Sequence, residues 1–208
     1  MGSINLKTGD TLNLTGTSTV SGATGWMDIT PFESGDDGVN PALNVAIPTL
    51  TRVYGREFLG SANSVRNRTY RFHIPHDIHP NPTQAFFHLH WCHVIANPTG
   101  TALFQIYINA CQRDGSPIAE VSTTMTLTPT AGNAGKINMV TEVDISALTG
   151  ILTNLKVDAF YGFYVERNAA NDDFNNSIYV RGADMHVQSD GKYTTAKDEG
   201  AGWVKVNV

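Results

Sequence analysis

The chain has 208 residues, of which 41% are hydrophobic and only 16% charged, against roughly 25% charged in an average soluble domain. Its net charge of −5 argues against general binding to nucleic acid, which needs a net basic face. No stretch reaches the roughly 20 apolar residues of a membrane span, and the first residues lack the apolar run of a signal peptide. We therefore expect neither nucleic acid nor a membrane among its partners.

Residues 1–50 predict an extended N-terminal arm that leads into an irregular segment, because residues 1–25 are rich in Gly, Thr and Ser. Trp26 and Phe32 are the two aromatic residues there, and we expect both to anchor the arm on a partner surface. The SGDDGVNP cluster at 34–41 predicts turns. Its acidic residues lack the alternating ligands of a calcium loop.

Residues 51–71 form a basic band, with five arginines against one glutamate. One interpretation is a solvated sheet edge on which the arginine stems pack. The other is a contact patch for an acidic surface of a partner subunit, since the guanidinium fork makes bidentate pairs with carboxylates. The candidates for the contact patch are Arg52, Arg56, Arg66 and Arg68.

Residues 51–190 predict the folded core, because short apolar or alternating segments are separated by Gly, Pro and Asn turns. We expect strands at 69–74, 85–95, 102–111, 118–127, 136–145, 156–167 and 178–188. The NPTG turn at 97–100 predicts an antiparallel hairpin between 85–95 and 102–111. The fold class is therefore an all-β antiparallel β-sandwich or jelly roll with extended N- and C-terminal arms.

The last segments of the chain are polar or short. The loop at 168–177 is predicted to be exposed, with Phe174 as its one aromatic candidate for contact with carbohydrate. The C-terminal tail, 191–208, contains the apolar residues Trp203 and Val206. We interpret the tail either as a docking hook for a partner or as a final strand that closes the sheet.

Six of the seven histidines lie in one stretch, RFHIPHDIHPNPTQAFFHLHWCH at 71–93. Alternation along a strand places Phe87, Leu89 and Trp91 on one face and His88 and His90 on the other. Such a pair can chelate a metal, with a third ligand from His73, His76, His79 or His186. It can also be a stripe that packs against a neighbouring sheet or subunit. We favour the second interpretation, in which the following residues face a subunit interface: His76, His79, His88 and His90.

The sequence lacks the motifs of familiar enzyme classes. Cupins have a Glu three or four residues after the HxH pair and a Gly shortly before it, whereas the nearest downstream Glu here is Glu120 and residues 81–87 contain no Gly. GxSxG, HExxH, P-loop and GxGxxG motifs are absent. We predict no catalytic residue and no cofactor, and we keep a metal-dependent β-barrel enzyme as an alternative. Neither Cys92 nor Cys111 belongs to a CxxC pair, and we predict two buried free thiols, with a disulfide as the alternative.

The segment HIPHDIHPNPTQAFFHLHW at 73–91, after its Arg-rich YRF strand, resembles structural proteins of tailed bacteriophages. The likeness is clearest over 54–109. It implies a virion protein that is made in the host cytoplasm, most simply a jelly-roll capsid cement or decoration protein on the capsid surface. It further implies oligomerisation, commonly as a homotrimer, and attachment to the major capsid protein. A tail-fibre or receptor-binding module is the alternative that the same resemblance allows.

Overall fold

The computed structural model describes residues 25–35, 40–50, 53–60 and 64–189, together with the short strands at 193–194 and 205–206. Nearly all regular structure in these residues is β. The strands are β1 Gly25–Ile29, β2 Glu33–Gly35, β3 Leu43–Ala46, β4 Tyr54–Phe58, β5 Val65–His73, β6 Ala85–Cys92, β7 Ala102–Cys111, β8 Val121–Leu127, β9 Met139–Asp144, β10 Phe160–Asn168, β11 Ile178–Ser189, β12 Tyr193–Thr194 and β13 Lys205–Val206. One helical turn, α1 Ile151–Asn154, precedes β10.

The main strands form two antiparallel sheets. The six-stranded sheet has the order β3-β4-β11-β6-β9, with β1 paired to β11 as well, and the five-stranded sheet has the order β2-β5-β10-β7-β8. From β4 to β11 the chain crosses between the sheets at every connection except β7 to β8. Four strands of one sheet, β4-β11-β6-β9, therefore face β5-β10-β7-β8 in the other, which is the jelly-roll order. The predicted all-β sandwich is confirmed.

The predicted hairpin between 85–95 and 102–111 is wrong. Strand β6 pairs with β11 and β9, whereas β7 pairs with β10 and β8 in the opposite sheet. The nine residues between them, 93–101, cross from one sheet to the other. Alternating apolar residues identify which side chains point inward, but two strands that face each other across a sandwich carry the same alternation as two that pair. The pattern alone could not separate the two arrangements.

The core lies between the two sheets and is rich in aromatic rings. Phe87, Leu89 and Trp91 on β6 are buried, as the alternation predicted. The Phe87 ring stacks on the Phe163 ring with centroids 4.5 Å apart, and Phe72 meets both rings edge-on. The inward faces of β5 and β7 are likewise buried. Both cysteines are free thiols as expected, but only Cys92 is buried, and Cys111 is half-buried.

The loop at 168–177 is only partly exposed, and the prediction of Phe174 as a sugar-facing aromatic is wrong. Phe174 is fully buried, with the Arg167 guanidinium 5.6 Å from its ring centroid and the His93 ring 6.4 Å away. Arg167 is itself buried and bonded to Asp172. A buried ion pair thus draws part of a polar loop into the sandwich, and composition does not reveal this.

The C-terminal tail is described only at β12 and β13, which pair with each other in a separate two-stranded ribbon. Val206 lies in β13, and its side chain is outside the described residues, as is Trp203. Within the part of the chain that the structure describes, no helix has the length and apolar character that a bilayer crossing requires.

His93 introduces a pH-dependent contribution to stability. Its ring is fully buried, 6.2 Å from the Trp91 ring, and burial lowers its pKa below the usual 6.5. Among the described residues, neither ring nitrogen has a hydrogen-bond partner of good geometry. The unfolded chain therefore binds a proton more readily than the folded one, and stability conferred by the neutral ring is lost as the pH falls below about 6.5.

We expect urea denaturation at pH 7.5 and 5.5 to show this loss in the wild type and a weaker loss in His93→Leu. The comparison isolates His93, because the two proteins differ at this position alone. If wild type and His93→Leu differ in unfolding free energy by the same amount at pH 7.5 and at pH 5.5, His93 does not titrate in this range.

Candidate functional site

The histidines of β6 lie on the outer face of the six-stranded sheet. In the strand register, His88 stands between Glu142 of β9 and Asp184 of β11, and Phe86 stands between Asp144 and His186. Strand β1 extends the same row, because Asp28 is the register partner of His186. We call this surface the histidine face, defined by Trp26, Asp28, Phe86, His88, His90, Glu142, Asp184 and His186.

Asp184 connects the two histidines of the HxH pair. Its Oδ2 lies 2.5 Å from His90 Nε2, and its Oδ1 lies 2.8 Å from His88 Nδ1. The first contact is a hydrogen bond, whereas the second lacks hydrogen-bond angles and is chiefly electrostatic. His88 Nε2 also lies 2.8 Å from Glu142 Oε2. Of the two His88 contacts, only the one to Glu142 is a hydrogen bond.

One group of side chains on this face could hold a metal ion. Ligand atoms of Asp28, His88 and His186 all lie within 4.8 Å of one another. Atoms that bind one zinc ion at about 2.1 Å stand roughly 3.4 Å apart, so these side chains would have to move to hold one. At present His186 Nδ1 lies 2.6 Å from Asp28 Oδ1 as a hydrogen-bonded pair.

The sequence predicted only part of this group. His186 was among the possible third ligands, but His90 turns toward Asp184 and toward Asn138 Oδ1, 3.0 Å from its Nδ1. Asp28 was missed because the segment around it was expected to lie in an arm. The short WMDI stretch adds a strand to β11 instead.

Aromatic rings form a strip beside the charged groups. The Trp26 ring stacks on His186 with centroids 4.8 Å apart and contacts Phe86 at 5.6 Å. His88 and His186 stack at 5.2 Å. Trp26 remains 44% exposed, so the strip presents an apolar edge to whatever meets this face. The structure thereby brings together three of the residues predicted for a partner interface, namely Trp26, His88 and His90.

The other predicted histidines make their contacts elsewhere. His76 Nε2 lies 3.2 Å from Asp158 Oδ1, and the same oxygen is 3.3 Å from His73 Nε2. His79 Nδ1 accepts a hydrogen bond from the backbone N–H of Asn81. Among the described residues, these side-chain contacts of His73, His76 and His79 lie outside the histidine face.

The predicted arginine patch is divided by the fold. Arg68 is only 7% exposed, since it shares the inward side of β5 with Tyr70. Its guanidinium lies 5.9 Å from the Tyr70 ring, and burial raises the pKa of Tyr70 to about 12. Arg56 and Arg66 are half-buried and donate to backbone carbonyls. Arg52 lies outside the described residues. Arg68 is thus withdrawn from the surface on which a partner would bind.

Phe32, the second predicted apolar anchor, is exposed. Its side chain is 55% accessible and meets the Phe160 ring edge-on, with centroids 5.5 Å apart. Phe160 begins β10 in the five-stranded sheet, so this aromatic pair lies away from the histidine face.

No family model and no curated protein sequence matches the chain. Among solved structures it is similar to the carbohydrate-binding module CBM35 from Cellvibrio japonicus Abf62, with 12% identity over 77% of this chain and 96% of that chain, at a TM-score of 0.35. It is also similar to a family 11 carbohydrate-binding module from Clostridium thermocellum in complex with a β-1,3-1,4-mixed-linked tetrasaccharide, with 12% identity over 83% and 90%, at 0.32.

A third similar structure is the arabinose-bound α-L-arabinofuranosidase MgGH51, with 10% identity over 78% of this chain and 23% of that chain, at a TM-score of 0.36. At such TM-scores these likenesses identify neither a family nor a function for the chain.

Proposed function

We propose that this chain is a structural protein of a tailed-bacteriophage virion, most simply a capsid cement protein that bridges neighbouring capsomers of the major capsid protein. The resemblance of residues 73–91 to such proteins supports this function. The position of the segment agrees with it, because β6 contributes to an open outer face of the sheet. We further propose that the protein acts without catalysis and as a homotrimer.

The observation that carries the proposal is the number of large apolar side chains left outside a well-filled core. Within the described residues, seven are between 44% and 58% exposed. They are Trp26, Phe32, Leu43, Tyr54, Ile137, Val140 and Phe160. Full burial of such a side chain is worth about 1.5–3 kcal/mol, so covering its exposed half contributes roughly 1 kcal/mol, and a partner that covers several of them gains affinity.

The histidine face fits the composition of a protein interface. Its aromatic strip, Trp26 and Phe86, can form an apolar centre, and the paired carboxylates and imidazoles form a polar surround. Each charged group already has a partner on the face, which lowers the cost of covering it. On a capsid lattice, several copies of a modest contact in one oligomer add up to tight attachment.

The test is co-sedimentation of the purified chain with DNA-free capsids of the phage that encodes it. We expect saturable binding, and we expect Trp26→Ala to weaken it at least about tenfold, since interface tryptophans commonly dominate affinity. Arg113→Ala is the control, because Arg113 is 47% exposed but belongs neither to the histidine face nor to the seven exposed apolar side chains. Thermal denaturation of each variant verifies folding.

Absence of saturable binding, or equal effects of the two substitutions, would overturn the cement assignment. Mass photometry of the free protein tests the trimer separately. Glycan binding without capsid affinity would instead favour the tail-fibre or receptor-binding module. Stoichiometric metal that is lost in His88→Ala would favour the metal-dependent enzyme.

A further inference from the structure

The outer face of the five-stranded sheet carries a groove of about 480 Å³ that lies opposite the histidine face. Its volume is within the roughly 300–1,000 Å³ of sites that bind small molecules. The groove crosses β5, β10 and β7, and its floor is Gly162. Its walls include the side chains of Arg71, Tyr107, Asn109, Glu120, Tyr164 and Glu166.

Gly162 keeps the centre of the groove open. It lies in the middle of the nine-residue strand β10, paired with Arg71 on one side and Asn109 on the other. Glycine weakens a strand interior and often marks a place where a ligand approaches the backbone. A Cβ at this position would meet no atom within 4 Å, so internal packing does not require glycine here.

Gly182 on the other sheet provides a contrast. It also has open space around its missing Cβ, but it stands at a register shift of β11 that gives the glycine a local backbone role. Gly162 stands in an unbroken register, and its strand has no such irregularity. The open space above Gly162 therefore has a ligand as its simplest explanation.

Two tyrosines form an apolar wall of the groove. Tyr107 and Tyr164 are register partners on neighbouring strands, with ring centroids 5.9 Å apart and planes tilted by 59°. Burial raises the pKa of Tyr164, and the nearby Glu166 carboxylate raises it further, so the phenol stays neutral. Each ring offers an apolar body and a hydroxyl that can exchange hydrogen bonds with a ligand.

Polar groups lie on both sides of Gly162. Asn109 Nδ2 donates to Glu120 Oε2 at 3.2 Å, and Arg71 stands on the other side of Gly162. Guanidinium, amide and carboxylate groups provide paired donors and acceptors. One guanidinium against two carboxylates, Glu120 and Glu166, disfavours an anionic ligand. A ligand with many hydroxyls and no charge suits both the tyrosine rings and the polar groups. Its C–H faces pack on the rings, and its hydroxyls meet the polar groups.

From this arrangement we propose that the groove over Gly162 binds a neutral oligosaccharide. The groove is open along the sheet, so a sugar chain can pass through it. The proposal goes beyond the structural role proposed above. Attachment through the histidine face uses the other sheet, and the two assignments can therefore fail independently.

The experiment is a microarray of neutral and acidic oligosaccharides probed with the full chain, followed by isothermal titration of the best neutral oligosaccharide. We expect binding to neutral oligosaccharides and an affinity at least about tenfold lower in Gly162→Leu, whose side chain enters the groove. The matched control is Gly182→Leu, which adds the same side chain in open space on the other sheet. It should bind like the wild type.

Tyr107→Ala tests the apolar wall without filling the groove, and it replaces Gly162→Leu if that variant does not fold. We expect it to weaken binding by a similar factor. The proposal is overturned if the array shows no neutral ligand, if only acidic oligosaccharides bind, or if Gly162→Leu and Tyr107→Ala both bind like Gly182→Leu. Capsid co-sedimentation of Gly162→Leu should remain at the wild-type level.

Discussion

Replacement of Arg167 by alanine is expected to lower the free energy of unfolding by about 3–5 kcal/mol, because it leaves a buried carboxylate without its cation. The Arg167 side chain is fully buried, and that of Asp172 is 1% exposed. The guanidinium donates to both Asp172 oxygens, at 2.8 and 3.0 Å. It also donates to the backbone carbonyls of Phe58, Phe174 and Asn176. All five acceptors lose this donor in the variant, and among the described residues the Asp172 oxygens keep only the backbone N–H groups of Leu103 and Phe174.

Urea denaturation followed by tryptophan fluorescence measures the change, and Arg113→Ala is the matched control. Arg113 is 47% exposed and pairs with Asp114 and Asp158, so its loss should cost no more than about 1 kcal/mol. Arg167→Lys should fall between the two, since lysine keeps the charge but lacks the planar fork. A loss in Arg167→Ala as small as that in Arg113→Ala would show that the buried pair is not a main support of the fold.

This arginine joins parts of the molecule that the sequence does not connect. Arg167 lies at the end of β10 in one sheet, and Phe58 ends β4 in the other. Residues 168–177 look like a solvent-exposed loop because they are mostly Asn, Asp and Ser. Only the fold shows that Asp172 turns inward toward a cation. A buried ion pair has no compositional signature, which is why the exposed position predicted for Phe174 was wrong.

The fold class, by contrast, could be predicted from local pattern. Period-two alternation along β5, β6 and β7 identified their buried faces, and the Gly, Pro and Asn turns indicated short strands. Partner choice was beyond the same pattern, because a strand's apolar face does not specify its neighbour. The β6–β7 hairpin failed for this reason.

The candidate site, like the fold, could be predicted only in part: the sequence shows which side chains share a face, but not which residues of other strands they meet. The HxH pair showed that His88 and His90 share a face, but their partner Asp184 comes from a strand more than 90 residues later. Asp28 joins through a pairing that arm-like composition concealed. Gly162 could have been noticed, since an isolated glycine within the aromatic stretch FYGFY is a recognised sign of close backbone approach.

Phe87→Ala is expected to destabilise the protein by about 3–5 kcal/mol, the range for removal of a phenylalanine from a packed core. Phe87 is fully buried, stacked at 4.5 Å on Phe163 and edge-on to Phe72 at 6.3 Å. These contacts join β6 of one sheet to β10 and β5 of the other. The cavity would therefore open where the two sheets meet, and few neighbours could move to fill it.

The adjacent residue provides the control. Phe86 points to the histidine face, is partly exposed and contacts the Trp26 ring at 5.6 Å, so Phe86→Ala should cost only about 1 kcal/mol. Equilibrium urea denaturation with a common m-value compares the two variants directly. If the two substitutions lower the free energy of unfolding by amounts that differ by several kcal/mol, the alternation of β6 determines which phenylalanine supports the core. Equal losses would mean that Phe86 is also buried in solution, which would remove the apolar strip from the proposed partner surface.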